Sequence, residues 1–169
     1  LIAFGIDPGS IRTGFGVVRV HGSRIEHLGN GVIHAPESAP LSDRVDAIFQ
    51  GLLGELDRHR PEQVFLESLF HHKNAKSALI LGHARGVALL AVRLRALPLD
   101  ELAPAEVKKS VTGNGRAEKF QVQEMVRMLL GLEKVAPTDA SDALAIAIAG
   151  AYRARSPIYA ATSRGRGTR

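Results

Sequence analysis

Four carboxylates stand where a lone acid is costly. Asp7 closes the apolar run Ile2-Ala3-Phe4-Gly5-Ile6, and Glu67 closes Val64-Phe65-Leu66 in the same way. Asp139 and Asp142 precede seven consecutive apolar residues, Ala143 to Ala149, and their spacing of three puts both on one face of a helix. A carboxylate in such surroundings needs a partner or a task. Each has an ordinary explanation taken singly. Asp139 and Asp142 suit the positive end of a helix, Asp7 can hold the Pro8-Gly9 turn, and Glu67 can face water at a strand end. Together they suggest one site. Three or four carboxylates in one place repel and call for cations, and a donor set of hard oxygens favours Mg2+ or Mn2+ over zinc. Two such ions about 4 Å apart can stabilise both the attacking and the leaving oxygen of a phosphodiester. The predicted chemistry is metal-dependent phosphodiester hydrolysis.

For that, four residues spread over 135 positions must converge, and the hydrophobic pattern supplies the means. Ile2 to Ile6, Thr13 to Val20 and Arg24 to His34 read as three strands in an antiparallel meander, punctuated by Pro8-Gly9-Ser10 and His21-Gly22-Ser23. From Leu41 the apolar residues recur at helical spacing through Val45, Ile48, Leu52 and Leu56, ending before Pro61. Gln63 to Glu67 then reads as a strand reached by a crossover, hence parallel to its neighbour. A long helix capped by Asn74 is predicted to run to Ala96, followed by a short strand over Pro98 to Leu102. Three helices follow: Pro104 to Val111, Lys119 to Leu132, and Thr138 to Arg153. The order βββαβαβααα predicts an α/β domain over 1–156, a mixed five-stranded sheet with helices on its faces. Strands of one sheet bring Asp7 and Glu67 to a common edge, where the last helix can point its first turn at them. The helix from Asn74 is apolar over most of its circumference and needs cover on two sides. A central position among the other helices would supply it, but those helices are themselves amphipathic, so a subunit interface in a homodimer is the reading preferred.

Composition narrows the classes. The chain has 169 residues, 45% of them hydrophobic and 23% charged, enough for one core and typical of an ordered globular domain. With no cysteine, disulfides, thiolate catalysis and Cys-built metal centres are excluded. The apolar stretch Ala78 to Leu97 is broken by His83, Arg85, Arg93 and Arg95, short of the roughly 20 apolar residues of a span, so no membrane partner is expected. No charged-then-apolar leader opens the sequence, and a cytoplasmic location is expected. The formal charge of +5 points weakly to polyanions. Five arginines and no acid lie in 151–169, which leaves 17 bases against 17 acids before them. Any nucleic-acid site on the body must therefore come from local segregation of charge.

At this point the motifs resemble those of the RuvC family of Holliday-junction resolvases, within the RNase H-like superfamily. The similarity runs from Gly5-Ile6-Asp7-Pro8-Gly9 and Gly14-Phe15-Gly16 through Asn74-Ala75-Lys76-Ser77-Ala78-Leu79 and Gly82-His83-Ala84-Arg85-Gly86-Val87-Ala88 to Asp139-Ala140-Ser141-Asp142-Ala143-Leu144-Ala145-Ile146-Ala147. The resemblance implies an RNase H-like fold with Asp7, Glu67, Asp139 and Asp142 as catalytic acids and metal ligands, two Mg2+ per site with Mn2+ as the alternative. It also implies a homodimer that nicks two opposed strands of a four-way junction, leaves 5′-phosphate and 3′-hydroxyl ends, and works with the RuvA and RuvB branch-migration complex. Three rivals remain open. Ile6-Asp7-Pro8-Gly9-Ser10 with Thr13-Gly14 also looks like the phosphate loop of actin-like ATPases, which need two lobes where this length supplies one. YqgF-type nucleases share the opening motif on a shorter chain. A non-catalytic junction-binding dimer would not need the four acids.

DNA contacts are expected from a few bases and one aromatic. Lys108 and Lys109 lie in the helix after Pro104, and Lys119 opens the next helix, where a cation opposes the macrodipole by roughly 0.3–1 kcal/mol. The family resemblance places phosphate-binding lysines at Lys108 and Lys119, with Arg116 a further candidate in the glycine-containing loop between the helices. Such contacts position the backbone rather than read bases. Phe70, three residues past Glu67 and beside His71-His72-Lys73, is either a loop aromatic folded on the core or a wedge at the branch point; the resemblance favours the wedge.

The basic C-terminal segment 157–169 reads as a tail, since Ser163 to Arg169 has no apolar residue to anchor it. Each phosphate contact adds about 0.9 to the slope of log affinity against log salt. Deleting 163–169 removes three arginines and is predicted to lower that slope by at most about 2.7 per subunit, equally for linear duplex and junction. Salt titrations of binding to both DNAs check this.

Overall fold

The computed structural model describes residues 1–68 and 75–156. Strands β1 (Ile2–Asp7), β2 (Arg12–His21) and β3 (Arg24–His34) form the antiparallel meander, and helix α1 (Leu41–His59) crosses to β4 (Gln63–Glu67). Helix α2 (Ala75–Leu94), β5 (Leu99–Leu102) and helices α3 (Pro104–Thr112), α4 (Lys119–Leu130) and α5 (Thr138–Ala154) complete the chain. The sheet order is β3-β2-β1-β4-β5, antiparallel across β3, β2 and β1 and parallel across β1, β4 and β5. This is the predicted mixed five-stranded α/β sheet.

Helix ends fall where the backbone turns left-handed. Arg60 and Ala96 have positive φ after α1 and α2, and Gly131 ends α4 at Leu130 rather than Leu132, its N–H and that of Leu132 donating back into the last turn. The expected cap Asn74 lies outside the described residues.

Strand alternation sorts the side chains into two layers. Phe4, Ile6, Phe15, Val17, Val64 and Leu66 point to one face and pack with α1 and α2. Ala3, Val18, Val20 and Phe65 point to the other, under α3, α4 and α5. Asp7 shares the parity of Ala3 and Gly5, and Glu67 that of Phe65, so both acids fall on the α5 face. Parallel register pairs Ile6 with Leu66, which brings Asp7 and Glu67 side by side at the strand ends.

α5 is the buried helix of the fold, with an unbroken run of buried residues from Ala143 to Ala151. It sits unusually close to the sheet because the strands beneath it carry glycine. A methyl added at Gly5 would fall inside the carbonyl of Ala143, and one at Gly14 inside the carbonyl of Asp139. One at Gly16 would lie 2.5 Å from the Leu144 nitrogen. Leu144, Ile146 and Ile148 are fully or almost fully buried, each stabilising by about 1.5–3 kcal/mol.

α2 is covered on one side only. Ala84, Ala88, Ala91 and Val92 are buried against the core. Leu79, Leu90 and Leu94 are 65%, 50% and 56% exposed, and they align at helical spacing with Gly82 and Gly86, both open to solvent. By length and composition alone α2 would pass for a membrane span. Its seating on α1 and the sheet gives that composition another use. The central, doubly covered position is not what the fold provides.

The glycine contacts predict a graded stability series. Gly14→Ala and Gly5→Ala should lose stability at or above the top of the usual overpacking range, about 1–3 kcal/mol, because backbone is what a methyl meets. Gly54→Ala, in open space within α1, should gain up to about 1 kcal/mol. Urea unfolding of the three variants measures the order.

Candidate active site

Asp7 and Glu67 at the ends of β1 and β4, with Asp142 from the first turns of α5, line one cleft of about 270 Å³. Lys108 of α3 and Lys119 of α4 line the same cleft, together with the apolar side chains of Val107, Val122 and Ile146. Asp139 stands one turn earlier, directly above Gly14, and opens on a neighbouring hollow of about 430 Å³ shared with Arg12 and His34. Two strand ends and one helix start thus deliver four acids to one corner of the sheet. The turn after Asp7 is held by Thr13, fully buried, whose hydroxyl donates to the Gly9 carbonyl at 2.9 Å and accepts from the Gly9 N–H at 3.3 Å. Thr13 rather than Asp7 closes that turn, which leaves the Asp7 carboxylate to the cleft.

The electrostatics are those of crowded negative charge. Asp7 is raised from its ordinary 3.8 to about 7, first by burial and then by the fields of Asp142, Glu67 and Asp139. Glu67 is raised by burial and by Asp142, against the opposing pull of Lys108 and Lys119. Lys119 Nζ donates to Asp142 Oδ2 at 2.6 Å. Burial works against the Lys119 charge, but this bond and the fields of Asp142, Asp7 and Asp139 outweigh it and raise its pKa. The helix-start cation that opposes the α4 dipole is therefore repaid by Asp142, while Glu118 and Gln121 form a reciprocal capping box. Asp139 is held by Arg12 at 3.1 Å.

Among the described residues, no three acidic or histidine side chains stand close enough to share an ion. The donor set nevertheless fits a hard divalent cation: it consists of carboxylate oxygens, and Asp7, raised first by its burial, is raised further by the fields of Asp142, Glu67 and Asp139.

Of the other expected contacts, Arg116 is exposed in the α3–α4 connection, its backbone N–H donating to Asn114 Oδ1, and it does not line the cleft. Phe70, His71 and His72 lie outside the described residues. Arg153, in the last turn of α5 as expected, is tied to the body by a 2.9 Å bond to the Glu101 carbonyl. The sequence reading missed Arg12, Thr13 and Arg85. Thr13 and Arg85 are buried polar residues within motifs already in view; nothing in the sequence pairs Arg12 with Asp139.

The shift of Asp7 sets a pH signature. Its folded pKa lies above its unfolded value, so the folded protein binds more protons between about pH 4 and 7, and stability falls as pH rises through that window. In EDTA, Asp7→Asn should melt with the unaltered protein near pH 4 and above it by a margin that grows to a plateau past pH 7, about 2–4 °C per kcal/mol. Calorimetric melts across that range read the difference.

Comparison with known proteins places this geometry. The family model for crossover junction endodeoxyribonuclease RuvC matches residues 3–150. The RuvC of Citrifermentans bemidjiense is 47% identical over 154 residues, 91% of this chain and 94% of that one. The RuvC of Syntrophotalea carbinolica is 50% identical over 148 residues, 88% and 92% of the two chains. The structure of T. thermophilus RuvC in complex with Holliday junction substrate superposes with a TM-score of 0.87 at 36% identity, over 92% of this chain and 95% of that one. A sheet that delivers Asp7 and Glu67 to the first turns of α5, matched along nearly its whole length, makes this chain a member of the RuvC family of crossover junction endodeoxyribonucleases.

Proposed function

We propose that the protein resolves Holliday junctions as a divalent-metal-dependent endonuclease, by paired nicks that leave 5′-phosphate and 3′-hydroxyl ends. The observation that carries the reading is the convergence of Asp7, Glu67 and Asp142 on one cleft that Lys108 and Lys119 also line, with Asp139 one turn of helix away. Asp7, Glu67, Asp139 and Asp142 would hold Mg2+ or Mn2+, which supplies Lewis-acid activation of water and of the scissile phosphate. Lys108 and Lys119 orient the DNA backbone through its phosphates, and Arg116 reaches it from outside the cleft. Lys119 exchanges its bond to Asp142 for a phosphate contact as substrate enters. The apolar walls limit water around the reacting groups and strengthen every charge interaction there. Phe70, following β4, acts as the wedge at the branch point, and the segment 157–169 is a basic arm without a fixed DNA register.

A homodimer supplies the second nick. Leu79, Leu90 and Leu94 with Gly82 and Gly86 make an unpartnered apolar stripe on α2, of the kind that marks a protein interface. Sedimentation should give the mass of two chains, and Leu90→Glu should give one. RuvA and RuvB are the proposed functional partners, and the cytoplasm the proposed location.

The test uses a four-way junction and a matched linear duplex, in EDTA, Mg2+ or Mn2+. Symmetric nicks confined to the junction, dependent on metal and sealable by ligase, are expected. Asp7→Asn should lose nicking entirely and keep junction binding; near-normal nicking would refute its role. Phe70→Ala should slow resolution more than binding, with stacking worth about 1–3 kcal/mol per base. Binding without cleavage would favour the non-catalytic reading.

A further inference from the structure

Arg85 is the one buried arginine among the described residues, at 8% exposure. It lies on the inner face of α2 next to Ala84 and Ala88, where an alanine or a valine would pack without any polar atom to satisfy. Taking a guanidinium there is costly unless its hydrogens find acceptors. They do so at two points. Nη1 donates to the main-chain carbonyl of Glu67 at 2.6 Å, and Nη2 pairs with Glu101 Oε1 at 2.7 Å. The planar fork thus spans the C-terminal ends of β4 and β5, which are parallel neighbours with Leu66 opposite Glu101.

The choice of acceptor is informative. Glu67 is the last residue of β4, paired with Leu102 of β5, and the N–H of the peptide that follows it, on Ser68, donates to the Leu102 carbonyl at 2.8 Å. Arg85 takes the carbonyl of that same peptide, so both of its polar groups are held, and a rotation of the peptide would swing the carboxylate out of the cleft. Arg85 fastens the peptide group of that residue from the face of the sheet opposite the cleft, through a helix that the site does not otherwise use. A lysine could not replace it, since one ammonium cannot reproduce the two-acceptor fork.

We infer that Arg85 is a positioning residue of the nuclease site, fixing the backbone of Glu67 so that its carboxylate faces Asp7 and Asp142. The inference rests on the proposed metal-ligand role of Glu67, and its test separates the two. Full-length R85M and R85K are compared with the unaltered chain for nicking of a four-way junction. Mn2+ binding is read independently from the electron paramagnetic resonance signal of the free ion. R85M should lose about 10–100-fold in Mn2+ affinity and in nicking rate at saturating protein, the usual cost of removing a group that orients a metal ligand. The protein concentration that half-saturates the junction should stay near that of the unaltered chain, and R85K should recover part of both losses. Unaltered Mn2+ affinity and nicking rate in R85M, or in R85K should R85M fail to fold, overturn the inference, as does a loss confined to junction binding. Glu67→Gln run alongside completes the test. If E67Q binds Mn2+ normally, the ligand role of Glu67 fails; if E67Q weakens binding and R85M does not, only the role of Arg85 fails.

Discussion

Everything in this molecule that concerns chemistry depends on how closely one helix approaches one sheet. Side chains normally hold a helix axis well away from the strands beneath it. Here β1 and β2 present Gly5, Gly14 and Gly16 to α5, whose backbone at Asp139, Ala143, Leu144 and Ala147 lies directly over them. The contact is backbone on backbone, and it places the α5 N-terminal turns level with the ends of β1 and β4. The acids at the strand ends and the acids at the helix start then share one corner. A larger residue at any of these glycines would lift α5 and with it half of the carboxylates. The core and the site are one construction.

That construction leaves an electrostatic debt. Four carboxylates meet at the edge of an apolar core, and the protein answers with cations drawn from three elements. Lys119 pairs with Asp142, Arg12 pairs with Asp139 and Lys108 acts on Glu67, while Asp7 is left with a pKa of about 7. A divalent cation would relieve all of these at once, and it would free Lys119 and Arg12 to meet phosphate. In this account the ion pairs are interim partners whose exchange couples metal occupancy to DNA binding, because the same lysine cannot serve a carboxylate and a phosphate equally.

Much of this was legible in the sequence. Strand and helix order, the parallel crossover to Gln63–Glu67 and the placing of Asp7 and Glu67 at strand ends all follow from hydrophobic period and turn residues, which act locally; that both acids share a face follows from the register of Ile6 opposite Leu66, which does not. What was not legible depends on contacts between distant segments. Gly14 and Gly16 read as strand punctuation, because nothing local says that another backbone lies against them. Arg85 reads as one polar interruption in an apolar helix; its partners, Glu67 and Glu101, are 18 and 16 residues away and on other elements. The single covered side of α2 was legible only indirectly, from the amphipathic character of the other helices, since an all-round apolar helix looks the same whether its second face meets the core or another chain.

The most direct test of the account is a crystal structure of the full chain grown with Mn2+, with the ions located by their anomalous scattering. Two Mn2+ within coordination distance of the Asp7, Glu67, Asp139 and Asp142 carboxylates, with Lys119 and Arg12 turned away from Asp142 and Asp139 and α5 still seated on Gly5, Gly14 and Gly16, is the predicted result. Mn2+ bound elsewhere, or a quartet that keeps both ion pairs at saturating Mn2+, would contradict it.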